Sequence, residues 1–263
     1  MRTWSSDLCK TALRKEKSMI NRYNNLNDRE QEAYMSVLEA IHSFKTQVTI
    51  PIRDGHELYN IYKAIRYDYP ETDLMWDYRQ SSYWLNNIGN SVKDMTLFLK
   101  YHGSKKEIEE KMKRIDQKAE EIIKKSLAGR TLNDFQCAEA VYKYMSNHFH
   151  YSVLRADGKY PGYAYTLECI LYGNGVCAGI SCAYSYVLRK LQIPIMVIVG
   201  NADGGNSRGS HAWNIMQLAD GSFKHMDLTW ETSARSEKYM VLDDLAMKAR
   251  RHQWVMTDYP LCS

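Results

Sequence analysis

The chain has 263 residues, of which 44% are hydrophobic and 25% are charged, a composition typical of a folded globular protein and unlike that of a disordered chain. This length is sufficient for one or two domains whose cores need no stabilising disulfides. The formal net charge of +4 is too small to indicate a nucleic-acid-binding face, so we expect no nucleic-acid partner.

No segment approaches the roughly 20 consecutive apolar residues of a membrane-spanning helix, so we expect no integral membrane segment. The first residues also carry no apolar stretch of the kind found in secretory signals. The sequence is therefore compatible with two localisations. The protein is cytoplasmic if Met1 is native, and extracellular or at the cell surface if a signal was removed.

The six cysteines follow neither a disulfide framework nor the paired spacing of a zinc site. We expect reduced thiols, mostly buried as small hydrophobic side chains, and neither a metal ion nor another cofactor. The cysteines are Cys9, Cys137, Cys169, Cys177, Cys182 and Cys262.

Residues 1–128 are predicted to form a mostly helical N-terminal region. Apolar residues at helical spacing predict three helices in it, over residues 28–44, 56–67 and 104–127. Asp28 is expected to cap the first of them, with Gln31 as its capping-box partner. Residues 77–90 fit either a strand or a loop, and no residue of the region carries chemistry that we can identify.

Residues 129–263 are predicted to form a second region of mixed helix and strand. It begins with an amphipathic helix over residues 133–149, which is followed by a loop and by a short helix over residues 166–172. The next predicted helix, over residues 177–191, has one strongly apolar face and therefore lies against a core.

Cys177 stands at the start of this helix, directly after Gly175 and Val176. The unpaired N–H groups of a helix N-terminus favour negative charge, so a thiolate is stabilised there and the cysteine pKa falls below about 8.5. The same N–H groups can stabilise an oxyanion on a substrate. We interpret Cys182, at a different azimuth of the helix, as a core residue, whereas Cys169 fits either the core or the wall of a site.

Two segments downstream of the helix are joined by the turn Asp220-Gly221 and predict a β-hairpin. With a two-residue loop, His211 and Asp227 would point to opposite faces of the hairpin. With a three-residue loop, in which Gly221 is a left-handed bulge residue, Asp227 lies diagonally from His211 on the same face. We predict the second register, because only that register lets the two side chains interact.

A cysteine, a histidine and an aspartate fit one mechanism of acyl transfer. The thiolate attacks an acyl carbon, and the histidine takes the thiol proton and later protonates the leaving amine. The carboxylate fixes the tautomer and the orientation of the histidine. A helix start that faces the edge of a sheet can bring Cys177, His211 and Asp227 together.

The chain resembles the transglutaminase-like superfamily, in its bacterial branch, through three motifs in the family's order and at its typical spacing. The motifs are Gly175-Val176-Cys177-Ala178-Gly179, His211-Ala212-Trp213-Asn214 and Met226-Asp227-Leu228-Thr229-Trp230. The resemblance covers residues 132–230 and implies a papain-like α+β core, with the nucleophile helix packed on an antiparallel sheet and residues 129–263 as the catalytic core. By position, it implies Cys177 as the nucleophile, His211 as the base and Asp227 as the orienting acid.

Two positions depart from the family pattern. Ala178 stands where many relatives have Gln, and Ile180 where many have Tyr or Phe. These changes spare the three implied catalytic residues but alter the wall of the groove, so they leave the substrate open. The second oxyanion donor, besides the Cys177 N–H, is also open. The candidates are Tyr165, Tyr172 and Asn174, of which the two tyrosines also fit helix packing.

The remaining histidines and tryptophans have simpler interpretations. His225 is an alternative base by its strand position, although the motif favours His211. Surface positions, without a metal, are expected for His148 and His150. We expect two tryptophans to pack under or beside the site, Trp213 and Trp230.

Two classes of function follow from these residues. The first is an enzyme that acts on a protein or peptide amide through a thioester, as a cysteine protease or amidase if water resolves the thioester and as a transglutaminase if a lysine amine does. The second is a non-catalytic binding module that keeps the fold and uses the tyrosine-rich N-terminal half as an interaction surface. Retention of Cys177, His211 and Asp227 favours the enzyme, and thiol reactivity separates the two classes.

Overall fold

The structure is a computed structural model that describes residues 21–203, 208–234 and 238–263, so that Cys9 lies outside the described residues. The chain divides into two compact units, Met1–Glu110 and Lys111–Ser263, and the division falls inside a long helix. The domain boundary predicted from sequence, between residues 128 and 129, lies at the C-terminal end of that helix and stays a prediction.

The first unit combines helices with a three-stranded antiparallel sheet. Its helices are α1 (Asp28–His42), α2 (Gly55–Asp68) and α3 (Thr72–Met75). Its strands are β1 (Gln47–Ile50), β2 (Ser82–Ile88) and β3 (Ser91–Phe98), in the order β1-β3-β2. The strand alternative for residues 77–90 is therefore the correct one. The sequence does not predict β1 and β3, because β1 has only four residues and Met95 and Leu97 are the only buried residues of β3.

Helix α1 begins at Asp28 as predicted, but the predicted capping residue is wrong by one position. Asn27, and not Asp28, caps the helix, because its side chain accepts hydrogen bonds from the N–H groups of Arg29 and Glu30, both at 3.1 Å. The Glu30 carboxylate accepts in return from the Asn27 N–H at 3.0 Å and completes a capping box. A glutamate in this role, in place of the predicted Gln31, adds favourable charge at the positive end of the helix dipole.

The second unit has the predicted α+β arrangement, in which one helix packs against an antiparallel sheet. Helix α4 (Lys105–Leu127) continues into this unit and is followed by α5 (Asp134–His148) and α6 (Cys177–Lys190). The main sheet has the order β8-β7-β6-β9, and α6 lies against β6 and β7. Its strands are β6 (Ile195–Asp203), β7 (Arg208–Gln217), β8 (Phe223–Met226) and β9 (His252–Gln253).

Shorter elements complete the second unit. A two-stranded parallel ladder joins β4 (His150–Tyr151) to β5 (Asn174–Gly175), and 3-10 turns over Gly162–Tyr165 and Leu167–Leu171 lie between these strands. Two short helices follow the main hairpin, α7 (Leu228–Ala234) and α8 (Asp244–Ala249). Within the described part of the chain, no helix is both long and apolar enough to cross a bilayer.

The β7–β8 hairpin has the predicted three-residue loop. Leu218 donates to the Ser222 carbonyl at 2.8 Å, and Gly221 adopts the left-handed φ of +83° that favours glycine. Asn214 pairs with Met226, which puts Asp227 on the face that carries His211. The predicted second segment is too long, because β8 ends at Met226 and the chain turns into α7.

Candidate active site

Cys177 is the first residue of α6, and the backbone around it is tightly packed. The Val176 N–H donates to the Ala164 carbonyl at 2.9 Å, which ties the helix start to the preceding 3-10 turn. A Cβ placed on Gly179 would lie 2.3 Å from the same Ala164 oxygen, so only glycine fits this close approach. The turn thereby fixes where the thiol of Cys177 lies.

His211 and Asp227, predicted to interact, share a buried hydrogen bond. His211 Nε2 lies 2.7 Å from Asp227 Oδ2, with the carboxylate fully buried. The Asp227 carboxylate also accepts from the Trp230 N–H at 3.1 Å through Oδ1, because α7 begins directly after it. Strand β7 supplies the histidine and the end of β8 supplies the aspartate, so the hairpin register holds the pair together.

The thiol of Cys177 and the ring of His211 interact, since each shifts the pKa of the other. His211 Nε2 already faces Asp227, so the other ring nitrogen, Nδ1, is the one left for the thiol. The structure therefore brings the three predicted site residues into one line of interactions, in which the imidazole hydrogen-bonds Asp227 and lowers the pKa of the thiol.

The electrostatics of this line favour a thiolate beside an imidazolium. Burial raises the pKa of Cys177, but the hydrogen bond and charge of His211, with the N–H groups of Ala212 and Ala178, outweigh it and lower the pKa. Burial lowers the pKa of His211, yet the charge of Asp227 and the hydrogen bonds to Asp227 and Cys177 raise it to about 10. Burial likewise raises the pKa of Asp227, which the charge and hydrogen bond of His211 hold well below its ordinary value.

A second histidine, which no sequence motif indicates, completes the surroundings of Asp227. His252 Nε2 lies 2.9 Å from the Asp227 Oδ2 that faces His211, and its side chain is fully buried. The histidine belongs to β9, a strand of two residues that pairs with the end of β6. Such a short strand leaves no periodic signal in the sequence, so only the tertiary structure reveals this contact.

Aromatic rings enclose His211, as predicted for the two tryptophans. The Trp213 ring stacks on the imidazole with centroids 5.7 Å apart and planes 20° apart, and the Trp230 ring lies at the same centroid distance. Trp213 is fully buried. These rings limit the orientations of the imidazole, and they keep water away from its bond to Asp227.

Tyr151, at the end of β4, is close enough to Cys177 for the two to influence each other, which makes it a further candidate for the oxyanion donor. Burial, together with the charge of Cys177, raises the pKa of Tyr151, so the hydroxyl keeps its proton. The candidates predicted from sequence have other partners. Tyr172 stacks on Tyr163, and Asn174 Oδ1 accepts from the hydroxyls of Ser152 and Tyr163, both at 2.9 Å. The third candidate, Tyr165, has its ring 6.1 Å from that of Tyr160.

His225, the alternative base, is engaged elsewhere. The Trp213 indole N–H donates to His225 Nδ1 at 3.0 Å, so the ring proton is on Nε2, which donates to Asp244 Oδ1 at 2.8 Å. Burial lowers the pKa of His225 despite the neighbouring carboxylate, which keeps the ring neutral. The two other histidines considered from sequence are exposed, His148 and His150.

Among the described residues, two clusters of side chains have the atoms that a metal ion could use. They are His211, Asp227 and His252, and His225, Asp244 and Cys262, each with ligand atoms within 4.8 Å of one another. The contacts of the first cluster, at 2.7 and 2.9 Å, have the lengths of direct hydrogen bonds. An ion at His225 Nε2 would move the ring proton to Nδ1. That nitrogen could then no longer accept the hydrogen bond that the Trp213 N–H donates to it. Both clusters are therefore complete as hydrogen-bond networks.

The other described cysteines are poor nucleophiles. Burial raises the pKa of Cys169 well above its ordinary value and the pKa of Cys262 to about 12. Cys182 is buried on α6, as predicted. Cys137 is partly exposed, but burial and the charge of Asp134 raise its pKa. Among the described cysteines, Cys177 alone combines a lowered pKa with partial exposure.

Comparisons with known proteins agree with the resemblance seen in the motifs. Residues 121–228 match the family model described as "Transglutaminase-like superfamily". A solved structure described as a TGase is 16% identical over 70% of this chain and 51% of its own, with a TM-score of 0.37. The match thus spans about half the length of that protein.

A second solved structure is the periplasmic domain of TgpA from Pseudomonas aeruginosa. It is 14% identical over 61% of this chain and 69% of its own, with a TM-score of 0.31. No curated protein matches the chain in sequence.

Proposed function

The chain carries a domain of the transglutaminase-like superfamily, and from that premise we propose that it is an enzyme with a cysteine nucleophile that cleaves or transfers acyl groups of protein or peptide amides. The observation that supports the proposal is the buried hydrogen bond between His211 and Asp227, together with the lowered pKa that His211 gives the Cys177 thiol. A packing cysteine needs neither a charged partner nor a place at a helix start.

In the first half of the proposed reaction, the Cys177 thiolate attacks the carbonyl carbon of the amide, and the carbonyl oxygen becomes an oxyanion. The Cys177 N–H and the Tyr151 hydroxyl donate to this oxygen. Collapse of the intermediate breaks the carbon–nitrogen bond, and the His211 imidazolium gives its proton to the leaving amine. Asp227 holds the imidazole in place throughout, and the acyl group remains on the sulfur as a thioester.

In the second half, His211 is neutral and acts as a general base. It takes a proton from the incoming nucleophile, which attacks the thioester and releases the Cys177 thiolate while the imidazolium is restored. Water as the nucleophile yields a carboxylic acid, and the enzyme is then a protease or amidase. A lysine amine yields a new amide, and the enzyme is then a transglutaminase.

Thiol alkylation tests the proposal. We expect iodoacetamide at pH 7 to alkylate Cys177 at least about tenfold faster than Cys137, since one unit of pKa changes the thiolate fraction about tenfold. Mass spectrometry of the digested protein assigns the rate to each cysteine. Cys177→Ala should abolish the fast phase, and Cys137→Ser, which removes the other partly exposed thiol of the described residues, should leave it intact.

The reaction type needs a substrate assay. A glutamine-containing peptide is incubated with and without a primary amine, and ammonia and cross-linked product are measured. Ammonia without cross-linking indicates hydrolysis, and a cross-linked product indicates transfer. Uniformly slow alkylation of all the cysteines would instead contradict the proposal and favour a non-catalytic protein-binding module.

A further inference from the structure

Both ring nitrogens of His252 face hydrogen-bond acceptors. Nδ1 lies 3.0 Å from the carbonyl oxygen of Arg250, which can only accept, so Nδ1 carries a proton. Nε2 lies 2.9 Å from Asp227 Oδ2. An ionised Asp227 can also only accept, so Nε2 carries a proton as well. Each ring nitrogen of His252 therefore faces an acceptor, and a doubly protonated ring is the form that donates to both.

The charge balance of the site agrees with this protonation. A Cys177 thiolate and an Asp227 carboxylate contribute two negative charges, and imidazolium rings at His211 and His252 contribute two positive ones. Unpaired buried charges are costly, whereas these four charges sum to zero and both rings hydrogen-bond Asp227. Asp227 thus lies between two histidines. His211 is the one that interacts with the Cys177 thiol, and His252 lies on the other side of the carboxylate.

The chain places His252 by means of an unfavourable backbone conformation. Arg251, immediately before it, has a left-handed φ of +63°, which is uncommon for a residue with a side chain. This turn brings the Arg250 carbonyl within reach of His252 Nδ1. The next residue, Gln253, lies so close to β6 that a Cβ on Gly200 would be 2.2 Å from its carbonyl oxygen. Backbone strain at Arg251 and close packing at Gln253 thus flank His252 on both sides. They favour a role for His252 that depends on where its ring lies.

We propose that His252 is a positioning residue for the reaction at Cys177: as an imidazolium it anchors Asp227 from the side away from the thiol and balances its charge. This inference rests on the proposed function. Without His252, Asp227 would lose one of its charged partners. The carboxylate could then rotate away from His211, and the imidazole would lose the restraint that directs Nδ1 at the sulfur.

The charge of His252 also affects the proton on His211. A cation beside Asp227 offsets part of the negative charge that acts on His211. It therefore lowers the pKa of His211 and makes the ring easier to deprotonate. Of the described residues, the titratable groups near His252 are His211, Asp227, His225 beyond the Trp213 ring, and Tyr239, whose ring centroid lies 6.3 Å away. His225 is held neutral, and so Asp227 and His211 dominate the effect.

Two substitutions separate the hydrogen bond from the charge. His252→Gln retains an N–H donor toward Asp227 but carries no charge, whereas His252→Leu removes both. The matched control is His225→Gln, a second buried histidine that bonds a different carboxylate, Asp244. Each variant of the full chain is assayed with p-nitrophenyl acetate as acyl donor over pH 5 to 11, and folding is checked by thermal denaturation.

For His252→Leu we expect kcat to fall about 10- to 100-fold with little change in KM, as for other residues that orient a reacting group. For His252→Gln we expect most of kcat to return, with the basic limb of the pH profile displaced to higher pH because His211 holds its proton longer. His225→Gln should leave the profile unchanged. Equal profiles for His252→Gln and the wild type would overturn the charge-balancing role, and an unchanged kcat in His252→Leu would overturn the positioning role.

A second measurement does not depend on activity or on the stability of a variant. Nitrogen-15 NMR of the histidine rings in Cys177→Ala protein reports the protonation of each nitrogen. We expect both nitrogens of His252 to be protonated at pH 7, and a neutral ring would contradict the inference. If the wild type neither acylates nor shows a fast alkylation phase, the proposed function fails, while the NMR result still decides the protonation of His252.

Discussion

The reactivity of a thiol depends on the fraction that is ionised at the working pH. At Cys177, burial opposes ionisation, and the hydrogen bond and charge of His211 favour it and prevail. His211 in turn depends on Asp227, whose charge raises the pKa of the imidazole to about 10. The pKa of the thiol falls and that of the imidazole rises, so a thiolate–imidazolium pair exists over the pH range between the two values.

His211→Gln should change the pH dependence of this thiol. Without the imidazolium, burial is left as the main influence and raises the pKa of Cys177, so the thiolate fraction at pH 7 falls. We expect alkylation by iodoacetamide at pH 7 to slow by at least about tenfold and to recover toward pH 10. The check is the second-order rate constant from pH 5 to pH 10. An unchanged profile would show that His211 does not ionise the thiol.

Tyr151→Phe should slow acyl transfer without slowing alkylation. Only acyl transfer creates an oxyanion, so only that reaction loses a donor when the hydroxyl is removed, and one such donor contributes about 100-fold to kcat. The measurement compares p-nitrophenyl acetate with iodoacetamide on the same protein. Tyr165→Phe is the matched control, since that tyrosine is also part-exposed and its ring belongs to the same cluster. Faster acylation in Tyr151→Phe would instead mean that the hydroxyl blocks the oxyanion position.

The sequence predicts only those site residues that lie in short, recognisable motifs, namely Cys177, His211 and Asp227. Cys177 stands at a recognisable helix start, and the turn at Gly221 sets the register that joins His211 to Asp227. Tyr151 and His252 lie in strands of two residues, and their partners are distant in sequence. Their roles depend on tertiary contacts that no local pattern encodes, and so sequence reasoning does not reach them.

At the scale of elements, the site is a helix start pressed against a fixed turn. The first turn of α6 lies on the Ala164 and Thr166 carbonyls, and Gly179 is the residue that allows this approach. The predicted apolar face of α6 packs on β6 and β7, and β7 carries His211. The helix and the sheet were predictable because their periodicity is regular, whereas the end of β8 was not, because α7 takes over the residues that would extend it.

Gly179→Ala should therefore disturb the helix start. The new Cβ would lie 2.3 Å from the Ala164 oxygen, and such overpacking costs about 1 to 3 kcal/mol, more than the roughly 1 kcal/mol of helix propensity that alanine gains. We expect a lower unfolding free energy in urea and slower alkylation of Cys177. Gly209→Ala is the control, because a Cβ there meets no atom within 4 Å and should change stability by less than about 0.5 kcal/mol. Equal stability of the two variants would contradict the close approach.

At the scale of the whole molecule, the boundary between the two compact units falls inside α4, and the part of α4 that belongs to the second unit contacts α6. Asp116 on this helix accepts from the Tyr186 hydroxyl at 2.8 Å and from Lys190 Nζ at 2.5 Å, both on α6. Lys111 pairs with Glu168 at 3.1 Å. The apolar face predicted from sequence is buried at Ile115, Ala119 and Ile122. A core that begins at residue 129 would leave these partners uncovered.

Two fragments test where the second unit begins. The fragment 105–263 keeps all of α4, so we expect a single cooperative unfolding transition and retention of the fast alkylation phase of Cys177. The fragment 129–263 follows the boundary predicted from sequence and lacks α4, so we expect a broad transition, because the surface of α6 that carries Tyr186 and Lys190 loses its cover. Urea denaturation followed by circular dichroism measures both, and the full chain is the reference. If the fragment 129–263 unfolds cooperatively and keeps wild-type thiol reactivity, the boundary predicted from sequence is supported. Helix α4 would then not be needed for the second unit to fold.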